Sequence, residues 1–172
     1  MAKPNKINLR AFQQELSERL KHKTAAQVDS LRLALECGEV SWLVRLGDTG
    51  EVLPMPEPVP VPLTKPWFLG VTNIRGGLYG MIDFGAFLTG NPTARGIGAR
   101  LVLLGTRFPD MRAGLMVSRV LGLRNLTDFT PAETDGARAW AVRTWRDKTG
   151  GEWRELDMAR LTQDAEFLQV GA

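Results

Sequence analysis

The sequence predicts a mainly β protein, with many short strands, a helical extension ahead of them and a short helix near the C-terminal end. Two observations carry this prediction. Apolar and polar residues alternate over short runs along much of the chain, and glycine-rich turns separate these runs. Such runs are typical of small β-barrels and β-sandwiches. With 172 residues, the chain is long enough for one domain, or for two small units that share one core.

The N-terminal part has the one long helical pattern. Apolar side chains recur there at spacings of three and four residues, at Leu9, Phe12, Leu16 and Leu20. This spacing predicts a helix over residues 8–27 with a narrow apolar stripe. We therefore expect a helical extension at 1–27 ahead of a domain at 28–172. The stripe either packs on the domain surface or docks on a partner.

Short candidate strands follow the extension. Residues 31–36 alternate between apolar and polar side chains, and residues 40–46 form a second apolar run after a turn at Gly38. Residues 54–66 hold six of the ten prolines, and because proline lacks an N–H we expect an extended loop there. Further strands are expected at 100–105, 112–118, 138–145 and around 153–157. A short helix is expected to follow at 158–163.

Residues 68–84 predict a β-hairpin that turns at Gly76-Gly77, because a glycine pair between two apolar runs is a strong hairpin pattern. A two-residue turn there places Asn73 opposite Gly80 and Arg75 opposite Leu78. Asn73 and Arg75 would then project from the outer face, beside the gap left by the glycine. The inner face would hold the apolar residues of the hairpin, Ile74, Tyr79 and Met81.

The five tryptophans are expected to serve mainly in packing. Trp140 and Trp145 differ in parity, so on one regular strand they would face opposite sides, one in the core and one partly exposed. An exposed tryptophan would be a candidate interface anchor.

The charge distribution argues against a nucleic-acid partner. The chain has a net charge of +3, but residues 1–27 hold six Lys and Arg against two Glu, a net of +4. The remaining 16 basic and 17 acidic residues give residues 28–172 a net charge of −1. A nucleic-acid-binding barrel is expected to carry the positive excess itself.

The residue inventory offers no catalytic constellation. His22 is the only histidine and Cys37 the only cysteine, so neither an N/S metal site nor a His-assisted nucleophile is expected. Asp83, within an Asp-Phe-Gly triplet, is expected to end a strand and cap the turn at 84–88. We therefore expect no cofactor, no metal and no active site. A single cysteine fits a reducing compartment, and with no membrane-span or secretory pattern we expect a cytoplasmic protein.

The hairpin at 68–84 resembles the signature of the CheW-like domain family, in which an apolar-x-Gly-Val-x-Asn-apolar-Arg-Gly strand precedes a strand ending in apolar-Asp-apolar. The residues that match are Gly70, Val71, Asn73, Arg75, Gly76, Ile82 and Asp83. A second block at 113–126 resembles a later strand pair of the family, through Gly114, Val117, Val120 and Leu123.

This resemblance implies a fold of two interlocked five-stranded SH3-like β-barrels and no enzymatic activity. It implies an adaptor that binds the cytoplasmic tip of a methyl-accepting chemoreceptor and the regulatory domain of a CheA-like histidine kinase. The helical extension and the run at 155–170 are similar to adaptors of chemosensory systems that control type IV pili and twitching motility. The partner-binding residues implied by the family are Gly70, Asn73, Arg75, Gly114, Val120 and Leu123.

Other interpretations stay open. The chain could be a nucleic-acid-binding small β-barrel, which predicts steeply salt-dependent binding. It could also be a small enzyme with a carboxylate-only metal site, which predicts converging acids in a pocket. At the level of single residues, the glycines could serve turn or bulge geometry, and Val120 and Leu123 could be core residues.

Overall fold

The computed structural model describes residues 27–172, in which two β-sheets pack around a shared apolar layer. The mainly β class predicted from the sequence is confirmed. Residues 27–30 are helical, and the predicted helix at 8–27 lies outside the described residues except for Gln27. Within 27–172, no helix combines the length and the apolar character that a membrane crossing requires.

In the described part of the chain, eleven strands follow one another. In chain order they are β1 Leu31–Cys37, β2 Val40–Arg45, β3 Thr49–Pro54, β4 Phe68–Ile74, β5 Gly77–Asp83, β6 Arg100–Leu104, β7 Ala113–Val117, β8 Arg119–Asn125, β9 Thr130–Ala132, β10 Ala141–Arg146 and β11 Glu152–Leu156. The helices are α1 Phe84–Thr89, α2 Met158–Leu161 and α3 Ala165–Leu168, and two 3₁₀ turns lie at Leu46–Asp48 and Leu126–Asp128.

The chain passes between the sheets twice, which interlocks them. The first sheet has the order β8-β1-β2-β11-β10-β9 and the second the order β3-β6-β7-β5-β4. The chain leaves the first sheet after β2 and returns to it after β7. The first sheet has six strands rather than five, because the three-residue β9 pairs with the outer edge of β10. Sequence patterns missed β3 and β9, since both are short and contain proline.

Each sheet curls around a small apolar cluster of its own. Arg75, just after edge strand β4, forms an ion pair with Glu51 on the opposite edge strand β3, so the two edges of the second sheet approach each other. In the first sheet, Leu121 of β8 packs in one cluster with Phe129 beside β9, which brings its two edges together in the same way. Both sheets are therefore barrel-like.

The largest apolar cluster lies between the two sheets and joins them. At its centre, Trp42 of β2 meets Phe84 of α1 edge-on with ring centroids 5.5 Å apart, and Trp140 lies 5.9 Å from both rings. Truncating a buried aromatic of this size costs about 3–5 kcal/mol. Trp145 faces the cluster inside the first sheet instead and is also buried, so the expectation that one of this pair is exposed is wrong. Both sides of the first sheet are covered.

Asp83 ends β5 and caps α1, as predicted. Its Oδ1 accepts a hydrogen bond from the backbone N–H of Ala86 at 2.9 Å, and its Oδ2 accepts one from the N–H of Thr93 at 2.8 Å. The carboxylate is buried, and these bonds satisfy it while they tie the loop after α1 to the strand.

The predicted hairpin forms, but its turn lies one residue earlier than predicted. Ile74 pairs with Gly77, which leaves Arg75 and Gly76 as the turn. Both have positive φ, 51° and 82°, as a type I′ turn requires. Each residue of β4 from Gly70 to Ile74 is therefore paired with a β5 residue two positions earlier than predicted. Because side chains alternate between the two faces of a strand, a shift of two leaves these side chains on their predicted faces. The apolar side chains share the inner face as predicted, at Ile74, Tyr79 and Met81.

Candidate functional site

The tip of the β4–β5 hairpin presents one arginine to solvent. The side chain of Arg75 is 79% exposed, and its guanidinium lies 2.7 Å from a carboxylate oxygen of Glu51. Asn73 supports the tip, since its Oδ1 accepts the backbone N–H of Gly76 at 3.0 Å. An exposed ion pair of this kind contributes little to stability, so the guanidinium can exchange its partner at small cost.

The predicted neighbourhood of Asn73 is wrong. In the observed register Asn73 lies opposite Leu78, and Val71 lies opposite Gly80. The space above Gly80 is filled by the ring of Phe68, which would lie 3.2 Å from an added Cβ. No gap therefore lies beside Asn73 for a partner to enter.

Gly70 serves close backbone packing. It is buried, with a φ of +125°, and a Cβ there would lie 2.1 Å from the carbonyl oxygen of Val59. The proline-rich segment is held at this point by two hydrogen bonds between Val59 and Val71, of 2.8 and 2.9 Å. Only glycine allows the segment to lie so near β4.

Gly114 also has a packing role. It is buried in β7, between β5 and β6, and a Cβ there would lie 2.8 Å from the side chain of Leu101 and 3.0 Å from that of Leu103. Neither Gly70 nor Gly114 offers a side chain to a partner, so any effect on binding acts through the backbone.

Strand β8 carries the remaining two predicted residues and lies at the edge of the first sheet. Val120 packs against the large cluster between the sheets, whereas Leu123 is 52% exposed and belongs to none of the apolar clusters. A bulge opposite Ala34 and Leu35, with Gly122 at a φ of 90°, lets the strand change which side it buries. β8 thus offers an exposed leucine on an edge strand.

A groove of about 810 Å³ opens between the two sheets. Its walls are the β1–β2 turn, the end of α1 with the loop after it, Ser118, and the segment before β10. Trp42 and Trp140 line it, and their indole N–H groups have no acceptor among the described residues. A buried N–H without a partner is uncommon, which makes this groove a candidate for accepting a polar group.

Charged pairs surround the groove. Glu36 binds Arg119 at 2.9 Å, and Asp135 binds Arg154 at 3.1 Å. Arg138 lies over the rings of Phe87 and Trp140, 5.7 Å from each centroid, a cation–π geometry. The groove therefore combines an apolar floor with a charged rim, as protein interfaces do.

The cysteine that lines the groove is a poor nucleophile. Burial raises the pKa of the Cys37 thiol to about 12, so the thiolate that a nucleophile needs is scarce near neutral pH. In the described part of the chain, no group of three or more His, Cys, Asp or Glu side chains is arranged to hold a metal ion. His22 lies outside the described residues.

Comparison with protein families identifies this arrangement of sheets. The model of the CheW-like domain matches residues 33–166, which is most of the chain. The chain belongs to the CheW-like domain family. The resemblance in the hairpin at 68–84 and in the block at 113–126 is confirmed by this match.

Two similar proteins accompany the family match. Protein PilI of Pseudomonas aeruginosa is 36% identical over 92 residues, which are 54% of this chain and 51% of PilI, so the chain spans about half the length of that relative. The crystal structure of the scaffolding protein TtCheW from Thermoanaerobacter tengcongensis superposes with a TM-score of 0.63, covering 75% of this chain and 89% of TtCheW at 16% identity. That likeness shows a shared fold.

The residues implied by the CheW-like family are distributed over both sheets. Four belong to the second sheet or its hairpin turn, two belong to the edge of the first sheet, and none lines the groove. Their roles in partner binding stay a prediction. Sequence patterns missed the groove, because its walls come from segments far apart in the chain. Two of the tryptophans that were expected to serve in packing, Trp42 and Trp140, form its floor.

Proposed function

We propose that this protein is a non-enzymatic adaptor in a chemotaxis-type signalling system. It couples the cytoplasmic tip of a methyl-accepting chemoreceptor to the regulatory domain of a CheA-like histidine kinase. The observation that carries the proposal is the CheW-like domain over residues 33–166. The fold shared with a scaffolding protein supports it. An adaptor works by holding two partners, so it needs surfaces rather than reacting groups.

The described surfaces suit such a role. Arg75 at the hairpin tip and Leu123 on β8 are exposed and would contact partners directly. The other implied residues would maintain the conformation of those surfaces. They are Gly70, Asn73, Gly114 and Val120. The groove between the sheets has an apolar floor, and we propose that it receives part of a helix of a partner, the form of recognition in which apolar anchors enter a groove.

We propose that the signalling system in which this adaptor works controls type IV pili and twitching motility. Similarity to Protein PilI over 92 residues supports this assignment. In such a system the adaptor is cytoplasmic and is recruited to membrane-bound receptor arrays, and it requires no cofactor.

Titration of the full chain with the CheW-like regulatory domain of the histidine kinase from the same cell tests the proposal. We expect a transient complex with a Kd on the order of micromolar, as small signalling interfaces give. Calorimetry up to about 1 mM, equivalent to roughly −4 kcal/mol, is the measurement. Absence of heat over that range would contradict the proposal.

A pull-down from the native cell tests the coupling itself. With the full chain as bait, we expect a chemoreceptor and a histidine kinase to be recovered together. Recovery of nucleic acid that disappears steeply with added salt would instead favour the small β-barrel alternative. Recovery of neither signalling partner would argue against an adaptor.

A further inference from the structure

A second polar pocket lies apart from the groove, and its lining is rich in arginine. It has a volume of about 530 Å³ and is bounded by the first two strands, the 3₁₀ turn at Leu46–Asp48, β10, β11 and the start of α2. Five arginines line it, at Arg32, Arg45, Arg107, Arg143 and Arg160. We call it the arginine pocket. Three carboxylates also line it, so the balance of charge is positive.

The first carboxylate is already saturated by its neighbours. Glu155 receives the guanidinium of Arg32 at 3.0 Å on one oxygen and the indole N–H of Trp145 at 2.9 Å on the other. Arg32 and Glu155 are both largely buried, and they join β1 to β11 across the sheet. A buried pair of this kind leaves little of the Glu155 charge to balance another cation.

The other two carboxylates are each engaged by one arginine. Asp48, which is buried, binds the guanidinium of Arg107. Asp157 lies 3.5 Å from the guanidinium of Arg160, and its Oδ1 also accepts the backbone N–H of Arg160 at the start of α2. Three carboxylates thus neutralise three of the five arginines.

Of the other two arginines of the pocket, one has a weak carboxylate partner and one has none in the described part of the chain. The guanidinium of Arg45 is 3.8 Å from Asp29, a long contact between two well-exposed side chains. Arg143 has no ion pair among residues 27–172 and lies 6.0 Å over the ring of Trp145. In β10 it lies directly opposite Glu155, whose two oxygens are already occupied. One unpaired and one weakly paired guanidinium, in a lining with five arginines and three carboxylates, favour an anion there.

The chemistry of the lining indicates which anion. The planar guanidinium fork binds phosphate oxygens through paired N–H donors, and several such forks suit an anion with more than one phosphate group. The apolar lining residues are aliphatic, at Leu126, Val142, Leu156 and Ala159, so no aromatic face is available to stack a nucleobase. We propose that the arginine pocket binds a small free anion that carries two or more phosphate groups.

Titration of the full chain with sodium pyrophosphate tests this proposal, with thermal unfolding and calorimetry as measurements and sodium chloride at matched ionic strength as the reference. We expect a saturable rise in Tm and a Kd below about 1 mM, because the anion binds only the folded chain. Arg143→Gln should weaken binding at least about tenfold, as loss of one charge-assisted contact predicts.

Arg146→Gln provides the matched control. Arg146 lies on the same strand, is also exposed, and pairs with Glu152 outside the pocket. We expect it to bind pyrophosphate like the natural chain. No saturable effect of pyrophosphate beyond that of chloride would overturn the proposal. So would equal weakening by both substitutions, since that outcome indicates general charge screening.

Vesicles with phosphatidylinositol bisphosphate distinguish a free anion from a lipid headgroup, because that lipid also carries more than one phosphate group. We expect the chain to stay in the supernatant when they are sedimented. Pelleting of the natural chain but not of the Arg143→Gln chain would assign the phosphate to a membrane lipid and overturn the free-anion assignment.

Discussion

Gly70 and Arg75 belong to the same short motif, yet they lie in opposite surroundings. Gly70 is buried beneath the proline-rich segment, and an added Cβ would lie 2.1 Å from the carbonyl oxygen of Val59. Arg75 is 79% exposed at the tip of the same hairpin and touches one exposed carboxylate. One residue holds the backbone in place and the other offers a charged group to solvent.

The same division separates the residues of the second block. Gly114 is packed between the side chains of two neighbouring leucines, whereas Leu123 is 52% exposed on an edge strand. A family motif therefore mixes residues that a fold requires with residues that a partner could read. The two kinds should respond differently to mutation, because the first acts on folding and the second on binding.

The largest loss of stability is expected from a substitution at Gly70, the buried residue of the hairpin motif. Gly70→Ala forces a Cβ into backbone atoms and imposes a positive φ on alanine, so we expect a loss of about 3 kcal/mol or more in the free energy of unfolding. Urea unfolding followed by tryptophan fluorescence measures it. A loss below about 1 kcal/mol would mean that the proline-rich segment can move away from β4.

Gly114→Ala should have an intermediate effect on stability. Its Cβ would meet flexible leucine side chains rather than backbone, so we expect a loss of about 1–2 kcal/mol. Gly96→Ala is the matched control, because Gly96 has open space around it and no positive φ. That control should stay within about 0.5 kcal/mol of the natural chain. Equal losses at both positions would contradict the packing role of Gly114.

Arg75→Ala should spare folding and affect binding. Alanine keeps the Cβ of the turn, so only the exposed ion pair is lost, and the free energy of unfolding should fall by less than about 1 kcal/mol. If the guanidinium is an interface anchor, affinity for the receptor or the kinase should fall by roughly 2 kcal/mol, about thirtyfold.

Arg146→Ala is the control for Arg75→Ala. Arg146 is also exposed and ion-paired, but it lies on the first sheet, away from the β4–β5 hairpin. Calorimetry with each partner should detect the loss at Arg75 alone. Normal binding of both partners by Arg75→Ala would remove this residue from the interface. Unfolding of that variant would show instead that the hairpin depends on it.

The smallest effect is expected at Asp147, a half-buried residue whose role is structural. Asp147 begins the turn between β10 and β11, where it accepts hydrogen bonds from Thr149, Trp153 and Gly151. These bonds, that of Thr149 above all, hold the pKa of the carboxyl well below its usual range. A lowered pKa in the folded chain stabilises it above the ordinary carboxyl pKa of about 4, and this contribution is lost as pH falls below that value.

Asp147→Asn should therefore lower Tm most at neutral pH. The difference in Tm between the natural and Asp147→Asn chains should shrink as pH is lowered below about 4. Thermal unfolding from pH 7 to pH 2.5 measures it. A difference that stays constant over this range would show that the charge of Asp147 does not contribute.

The hairpin shows how far local patterns reach. Its existence, its strands and its inner face were predictable, because alternation and a glycine pair are local properties. Its turn was misplaced by one residue. Turn position depends on which two residues take a positive φ, and here they are Arg75 and Gly76. The contacts at the tip come from Asn73 and from Glu51, and Glu51 lies on a strand that no local pattern predicted.

The groove and the arginine pocket could not be predicted from local sequence patterns. The groove is closed by residues from both sheets, and the arginine pocket combines residues from Arg32 to Arg160. Individual charges and tryptophans were visible in the sequence, but their convergence was not. Burial of both Trp140 and Trp145 likewise depended on the first sheet being covered on both sides.

The sequence by itself determined the β class, most of the strands, the cap at Asp83 and the family motif, because these depend on residues near one another in the chain. Tertiary structure alone decided which motif residues are buried and which are exposed. It also decided the turn register and the two cavities. Those features depend on contacts between segments separated by up to 123 residues, such as the pair of Arg32 and Glu155, and no local pattern encodes them.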